Sequence, residues 1–290
     1  MLKSLAIVGA GRVGRALGKR LREEGWRIGA VVTRSAPSAR KAVRSIGAGR
    51  ACVGVSREIL AANVVLICTP DDAISSVAQE IAGLLKDEND PGLRGTVFLH
   101  TSGALDAGAL RPLKKYGAAL GSVHPLQSFS GIGIPPLEGR FFAIEGDDLA
   151  LRTARKIVRS LGGRPVQISS GKKRLYHAAA ALAAGHVLAV EEAATRMLMA
   201  AGLKRTEAVD ALLGLTRQVL HNFARLGSHA AWTGPLARGD YRIVLAHGQA
   251  MSALPTEYAA AYKALNRLAA RVLANDAKLA LSQLEKIAEN

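Results

Sequence analysis

Apolar and polar residues along the first part of the chain form blocks that predict strands and helices in turn. Short apolar runs bounded by turn residues predict buried strands. They lie at Leu5–Val8, Ile28–Val32, Val64–Cys68, Thr96–His100, Ala118–Val123, Phe141–Ile144 and Pro165–Ile168, with a weaker run near Ala51–Val53. Helical periodicity fills most of the intervals between them. This alternation predicts an α/β domain with a doubly wound, mostly parallel sheet covered on both faces.

The pattern changes near Ser170. From Lys172 onward no run predicts a strand, and Ala and Leu recur with helical spacing. Breaks at Ala201-Gly202, Gly227, Thr233–Gly239 and Leu254-Pro255 predict five or six helices, and there is no internal repeat. We therefore predict an α/β domain over residues 1–169, followed by an all-α domain over residues 170–290.

The overall composition fits a globular protein. A chain of 290 residues with 49% hydrophobic residues can build two domains with a sizeable core. Cys52 and Cys68 lie in apolar strand-like segments, which predicts buried thiols and no disulfide framework. The first apolar run breaks into a glycine-rich turn, and no run is long enough to span a bilayer. We expect a cytoplasmic protein with no membrane association.

Positive charge is concentrated near the N-terminus. The formal net charge is +16, and residues 1–60 hold thirteen Lys and Arg against three Glu, a net charge of +10. Such a surplus attracts anionic ligands. Nucleic acid is the less favoured ligand, because only 4% of residues are aromatic and no basic run is interleaved with aromatic residues.

A G-x-G-x-x-G sequence lies directly between the first predicted strand and a helix-like segment. Gly9 permits the tight turn, Gly11 leaves room for a pyrophosphate, and Gly14 lets the helix pack close to the strand. The free N–H groups of the helix start favour a phosphate. The predicted cofactor-binding residues of this turn are Gly9, Gly11, Arg12, Val13 and Gly14.

The end of the second predicted strand indicates which dinucleotide binds. An NAD enzyme usually has an acidic residue here, but this chain has Thr33, Arg34 and Ser35. A guanidinium group matches a 2′-phosphate, so the sequence predicts NADP(H). The alternative is that Arg34 is an ordinary solvated loop charge.

Two further loops follow predicted strands. Thr69 and Pro70 end one strand, and Thr101 and Ser102 end the next. Carboxyl-end loops line the ligand crevice of an open α/β sheet. We expect the nicotinamide to lie between these two loops.

Lys173 and His177 are candidate catalytic residues. Their spacing of four places both on one face of a helix. A lysine ammonium can donate a proton to a developing alkoxide, and a neighbouring histidine can orient the substrate. The alternative is a solvated charge beside an interdomain histidine.

Two polar loops are candidate substrate-binding segments. The first contributes His124, Gln127 and Ser128, although a turn with a satisfied histidine would give the same pattern. The second contributes Thr233, Gly234, Pro235, Arg238 and Asp240. Arg238 would clamp a substrate carboxylate and Asp240 would hold it, unless this is a helix connection with a surface ion pair. The remaining histidines show no metal-binding spacing, so we predict no metal and no covalent nucleophile.

Three motifs together carry a family resemblance. They are H-P-L-Q-S-F at His124–Phe129, K-x-x-Y-H-A-A-A at Lys173–Ala180 and T-G-P-x-x-R-G-D at Thr233–Asp240. The combination resembles the Rossmann-like oxidoreductases with an uncharacterised helical C-terminal domain. This family is similar in architecture to ketopantoate reductase, pyrroline-carboxylate reductase and the β-hydroxyacid dehydrogenases. In the last group a catalytic Lys precedes an Asn by four residues, and His177 occupies the position of that Asn. The chain departs from the family at Ala184-Gly185, where Ser-Asn is common.

The resemblance implies a Rossmann sheet, an NADP(H) cofactor and a small-molecule substrate. The implied activity is hydride transfer to or from a small carboxylate-bearing carbonyl compound, such as a ketopantoate-like 2-oxo acid. The alternatives are an imine reductase resembling pyrroline-carboxylate reductase and a non-catalytic NADP-binding sensor or scaffold. Because the helical region is rich in Ala and Leu, we also expect a homodimer formed through residues after about 180.

Overall fold

The computed structural model describes residues 4–85 and 92–289. All eight predicted strands are present, including the weak third one. They are β1 (Ser4–Val8), β2 (Arg27–Thr33), β3 (Arg50–Val53), β4 (Val64–Ile67), β5 (Val97–His100), β6 (Ala119–Pro125), β7 (Phe141–Gly146) and β8 (Arg164–Gln167). One sheet runs in the order β3-β2-β1-β4-β5-β6-β7-β8, and only β6 and β7 pair antiparallel. The predicted doubly wound, mostly parallel α/β fold is confirmed.

Helices cover both faces of the sheet. They are α1 (Arg12–Glu23), α2 (Ala36–Ile46), α3 (Asp71–Gly83) and α4 (Asp148–Ser160), together with 3₁₀ turns at Arg57–Ala61 and Ala107–Tyr116. One apolar cluster joins the sheet to α1, α2 and α4, and a second joins the opposite face to α3 and the 3₁₀ segments. The connection from β5 to β6 contains the 3₁₀ segment Ala107–Tyr116, which includes Pro112.

The turn from β1 into α1 requires glycine at two positions. Gly9 has a φ of +84°, and a Cβ atom there would lie 2.7 Å from the Thr69 backbone nitrogen. A Cβ on Gly14 would lie 2.8 Å from the Gly9 carbonyl oxygen. Larger residues would push α1 away from the sheet, so the turn has the tight geometry that the motif predicts.

The C-terminal part of the chain is helical throughout the described residues. After a 3₁₀ turn at Ser170–Lys172, the helices are α5 (Lys173–Ala181), α6 (Val187–Ala200), α7 (Arg205–Leu226), α8 (Ser228–Ala231), α9 (Tyr241–Ala250), α10 (Thr256–Leu273) and α11 (Ala277–Glu289). One π-helical turn, Leu182–His186, joins α5 to α6 and contains Gly185. The predicted all-α character and the predicted breaks are confirmed. The predicted number of five or six helices is too low, because the described residues of this region hold seven α-helices and the break between Leu273 and Ala277 was not predicted.

The backbone divides into two compact units. The N-terminal unit extends to Ala184 and the C-terminal unit begins at Gly185. The predicted boundary lies earlier, at residue 169. The difference arises because α5 belongs to the N-terminal unit, where Lys173 is buried against Ser102 and Ser122. In the C-terminal unit a small core forms around Leu236, Val244, Ala270, Ala280 and Leu284.

No helix in the described ranges is long and apolar enough to cross a membrane.

Candidate functional site

The predicted strand-end loops meet along one edge of the sheet. Val8 pairs with Val32 on one side and with Ile67 on the other, and Ile67 pairs with His100. Since these strands are parallel, the residues that follow them emerge side by side. The glycine turn, Thr33, Thr69 and Thr101 therefore lie next to one another at the carboxyl ends of the strands, which is where open α/β sheets bind ligands.

The glycine turn has the space and the donors that a pyrophosphate needs. A Cβ added at Gly11 would meet no atom within 4 Å. Gly11 is also the N-cap of α1, and no side chain caps the helix. Thr69 Oγ1, across from Gly9, is buried without a hydrogen-bond partner. The first-turn N–H groups and this hydroxyl fit the phosphates and polar groups of a dinucleotide.

Arg34 lies just beyond the end of β2. It is exposed and forms no ion pair with any carboxylate in the described residues. Its neighbours fix the backbone, since the Thr33 hydroxyl donates to the Ser35 carbonyl at 2.9 Å and Ser35 Oγ donates to Ser38 Oγ at 3.0 Å. A cation with a fixed backbone at this position fits the 2′-phosphate of NADP(H).

Lys173 is buried, with 1% of its surface exposed. Its ammonium donates to the Ser102 carbonyl at 2.9 Å and to Ser122 Oγ at 2.6 Å. Ser122 Oγ in turn donates to a carboxylate oxygen of Glu145 at 3.4 Å. Burial lowers the pKa of Lys173 to about 8, although Glu145, Asp106 and Asp71 oppose this effect. Burial also raises the pKa of the Glu145 carboxyl group.

The loop after β5 is held by a second set of hydrogen bonds. Ser102 Oγ donates to Asp71 at 2.8 Å and accepts the N–H groups of Ala104 and Leu105. The Ser102 N–H donates to His100 Nδ1 at 3.2 Å, so the opposite nitrogen of this fully buried ring carries the hydrogen. Desolvation lowers the pKa of His100 to about 4, which keeps the ring neutral. The N–H, the hydroxyl and the carbonyl of Ser102 thus all have hydrogen-bond partners within the protein.

His124, Tyr176 and His177 form a cluster beside this loop. His124 Nδ1 lies 2.8 Å from the Tyr176 hydroxyl, and the two histidine rings are edge to face with centroids 5.7 Å apart. His177 Nδ1 is buried and has no hydrogen-bond partner. Gly103 completes the cluster, because a Cβ there would lie 2.5 Å from His177 Nδ1 and 2.9 Å from His124 Nε2.

Burial shifts the pKa values of His124 and Tyr176. Desolvation lowers the pKa of His124 to about 4, with further contributions from His177 and Lys173. Burial raises the pKa of Tyr176 to about 12. At neutral pH a protonated phenol therefore faces a neutral imidazole, and the direction of their hydrogen bond depends on which ring nitrogen of His124 carries the hydrogen.

Gln127 and Ser128 lie in the connection between β6 and β7. The Gln127 side-chain amide donates to the Pro136 carbonyl at 3.0 Å, and its oxygen accepts the Ser128 N–H at 2.9 Å. Both hydrogen bonds join residues within the connection between β6 and β7. Their predicted role in substrate binding stays a prediction.

The segment Thr233–Asp240 belongs to the C-terminal unit and forms a compact turn. Arg238 Nε donates to Asp240 at 3.1 Å, and both side chains are largely exposed. Gly234 and Gly239 have φ values of +107° and +76°. This ion pair fits both the predicted clamp and the alternative of a helix connection with a surface ion pair, and the guanidinium keeps further donors for an anion. The role of this segment in substrate binding stays a prediction.

Several residues of the site were not predicted from the sequence. Tyr176, Ser122, Glu145 and Gly103 join the predicted residues only through contacts between distant parts of the chain. Tyr176 could have been predicted from the sequence, since it directly precedes His177 in the K-x-x-Y-H motif. Among the residues that the structure describes, no group of three or more His, Cys, Asp or Glu side chains is placed to hold a metal ion.

Comparisons with known proteins extend these observations. Residues 2–125 match the model of a Rossmann-like domain, and residues 140–269 match that of a domain of unknown function, DUF2520. A comparison with curated proteins gives no match.

Several solved structures share the fold over nearly the whole chain. A Thermotoga maritima protein is 25% identical, with 97% of this chain and 98% of that one covered and a TM-score of 0.66. A Bacteroides fragilis protein provisionally named an NADP oxidoreductase is 21% identical, with coverages of 92% and 97% and a TM-score of 0.72. A reductive aminase from Aspergillus terreus, solved with NADPH and ethyl-5-oxohexanoate, is 18% identical, with coverages of 97% and 99% and a TM-score of 0.66. The chain thus matches a Rossmann-like domain followed by DUF2520, which confirms the resemblance drawn from its motifs.

Proposed function

We propose that this protein is an NADP(H)-dependent oxidoreductase that transfers a hydride to or from a polar double bond of a small molecule. One juxtaposition carries the proposal. The glycine turn and the His124–Tyr176–His177 cluster lie in one compact unit, beside loops that leave the carboxyl ends of neighbouring strands. A dinucleotide site beside protonated and neutral polar groups is the arrangement that hydride and proton transfer need.

The cofactor is proposed to be NADP(H) rather than NAD(H). When bound, it supplies the hydride, while the protein supplies position and the proton. Arg34 pairing with the 2′-phosphate contributes roughly 1.5–3 kcal/mol, or about 10–100-fold in affinity. Arg34→Asp should erase the preference for NADPH over NADH in fluorescence titrations. Arg152→Asp, an equal charge change on an exposed face of α4, should leave it intact, and equal affinities for both cofactors in the parent protein would refute the assignment.

The proton at the substrate is assigned to the Tyr176–His124 pair. Tyr176 is half-buried and stays protonated at neutral pH. In the tautomer in which His124 Nδ1–H donates to the Tyr176 oxygen, the phenol proton can pass to the substrate and the same N–H would stabilise the tyrosinate that remains. The Lys173 ammonium is almost entirely enclosed by the protein, so we assign it the positioning of the Ser102 loop. The expectation that Lys173 itself is the acid is the competing assignment, because a pKa of about 8 also suits proton transfer.

Two variants separate these assignments. Tyr176→Phe should lower the rate of NADPH oxidation by about 10²–10⁴ without weakening NADPH binding. Tyr116→Phe is the matched control and should leave the rate unchanged. If Tyr176→Phe keeps the parent rate while Lys173→Met loses it together with a pH break near 8, the acid is Lys173.

The proposed substrate is a small carboxylate-bearing carbonyl compound, with a ketopantoate-like 2-oxo acid as the first choice. Arg238, which pairs with Asp240, would bind the carboxylate. A cyclic or acyclic imine is the second candidate. It is favoured by the structural similarity to a reductive aminase and to the imine reductase from Pseudomonas sp..

The decisive experiment is single-turnover oxidation of bound NADPH with a panel of 2-oxo acids and cyclic imines. We expect oxidation with one class and a raised half-saturating concentration in Arg238→Ala only for substrates that carry a carboxylate. Tight NADPH binding without turnover across the panel would instead favour a sensor or scaffold that binds NADP.

The protein is further proposed to be a homodimer through its helical unit. On α7, Leu215, Leu220, Phe223 and Leu226 are each more than half exposed, and Leu188 on α6 is 70% exposed. Apolar surface of this extent usually marks an interface. In a two-fold dimer the same face of each copy would be buried against the other. Sedimentation should give twice the monomer mass at micromolar concentration, and a monomer there would contradict the proposal.

A further inference from the structure

A groove runs along α1 on the side away from the sheet. It encloses about 330 Å³ between the helix and the connection from β6 to β7. The helix wall carries Arg12, Arg15, Lys19 and Arg20, and the opposite wall includes Gly131 and Gly133. The proposed oxidoreductase activity uses only the first turn of this helix, so most of the groove has no assigned role.

The groove is strongly electropositive. Four cations line it against one carboxylate, Glu23, which already pairs with Arg20 at 3.3 Å and with Arg22 at 3.8 Å. Lys19 has no ion pair among the described residues. Arg20 Nε is buried without a hydrogen-bond partner. Four positive charges against one carboxylate that is already paired attract an anion with two or more negative charges.

The chemistry of the walls favours phosphate oxygens. Guanidinium groups bind phosphate through parallel hydrogen bonds. The loop wall consists of Phe129, Gly131, Gly133 and Ile134 and adds no carboxylate. Gly131 and Gly133 have φ values of +91° and +68°, in the left-handed region that favours glycine. A Cβ on Gly131 would lie 3.1 Å from Arg12 Nε. We propose that the Lys19–Arg20 end of this groove binds a small phosphate compound with two or more negative charges, apart from the dinucleotide site to which Arg12 is assigned.

The separation follows from helix geometry. Lys19 and Arg20 lie two turns beyond Arg12, about 10 Å along the axis from the helix start that would hold the pyrophosphate. The segment Thr33–Ser35, assigned to the 2′-phosphate, does not line the groove. A ligand held by Lys19 and Arg20 is therefore not a phosphate of the dinucleotide.

Inorganic pyrophosphate is the probe, titrated calorimetrically into the full chain already saturated with NADPH. Lys19→Glu and Lys19→Gln are the test variants. Arg12 and Arg15 are left unchanged, because Arg12 is assigned to the cofactor site and Arg15 Nε donates to the Gly11 carbonyl at 3.1 Å. Lys156→Glu, on an exposed position of α4, is the control with the same charge change.

We expect saturable pyrophosphate binding in the presence of NADPH. Lys19→Glu should weaken it by about 10–100-fold and Lys19→Gln by less, whereas Lys156→Glu should leave it unchanged. NADPH affinity and the unfolding temperature should be the same in all variants. Binding that NADPH abolishes, or equal losses in Lys19→Glu and Lys156→Glu, would overturn the proposal, as would the absence of saturable binding.

Discussion

The buried ammonium of Lys173 should make the stability of this protein depend on alkaline pH. The unfolded chain keeps the lysine at its ordinary pKa of 10.5, while burial lowers the pKa in the folded protein to about 8. Between these values the unfolded state binds more protons than the folded state. Stability therefore rises with pH through this interval, because the cost of burying the charge disappears as the folded protein loses the proton.

The size of the effect follows from the two pKa values. The interval corresponds to about 3 kcal/mol of destabilisation, fully present below pH 8, at 1.36 kcal/mol per pH unit. About 2–3 kcal/mol of it should be recovered between pH 7 and pH 10. In Lys173→Met the ionisation is absent, so this pH-dependent gain should be absent too. The variant also removes the hydrogen bonds that the ammonium donates to the Ser102 carbonyl oxygen and to Ser122 Oγ. Each loss costs roughly 1–3 kcal/mol of stability, and this cost does not vary with pH.

The assay is urea unfolding of both proteins at pH 7 and pH 10. The difference in the free energy of unfolding between them should shift by about 2–3 kcal/mol in favour of the parent at the higher pH. Other groups that titrate in this range cancel in the comparison. Parallel pH profiles for the two proteins would refute the reasoning, since they would mean that Lys173 keeps its ordinary pKa in the fold.

Two further predictions concern the same region. His100 has a pKa of about 4 in the folded protein against 6.5 when unfolded, so stability should fall by up to about 3 kcal/mol as the pH drops from 6.5 to 4. His100→Gln should flatten this acid limb in thermal unfolding, and an unchanged limb would argue against a neutral buried ring. Gly103→Ala would place a Cβ 2.5 Å from His177 Nδ1, so the two histidines must move; turnover should fall by about 10²-fold while NADPH binding persists. Gly83→Ala, where nothing lies within 4 Å, is its control, and equal rates in both variants would remove the cluster from the reaction.

The sheet was predictable because its signals are local. Apolar runs between turn residues predict the strands, and the glycine spacing predicts the turn at Gly9 even before its positive φ is seen. The antiparallel entry of β7 was not predicted, since the apolar pattern of a buried strand carries no direction.

The polar site depends on contacts that sequence spacing cannot supply. Lys173 meets Ser122 across 51 residues, and His124 meets Tyr176 across 52. Helical spacing correctly places Lys173 and His177 near the same loop. It does not reveal that the ammonium is enclosed by protein, because burial depends on how α5 packs against the strand ends.

The connection between β5 and β6 has a consequence for motion. Its 3₁₀ geometry gives weaker hydrogen bonds than an α-helix. At its start, however, the Asp106 carbonyl accepts a hydrogen bond from His100 and the Ala107 N–H donates to Glu145, so this segment holds two polar side chains in place. Opening of this one connection would release both contacts at once, without unfolding the sheet. Native-state hydrogen exchange should therefore find a partially open form in which Glu145 and Ser122 reach solvent well before β5 does. The groups around Lys173 would then exchange protons with water on the timescale of that local opening.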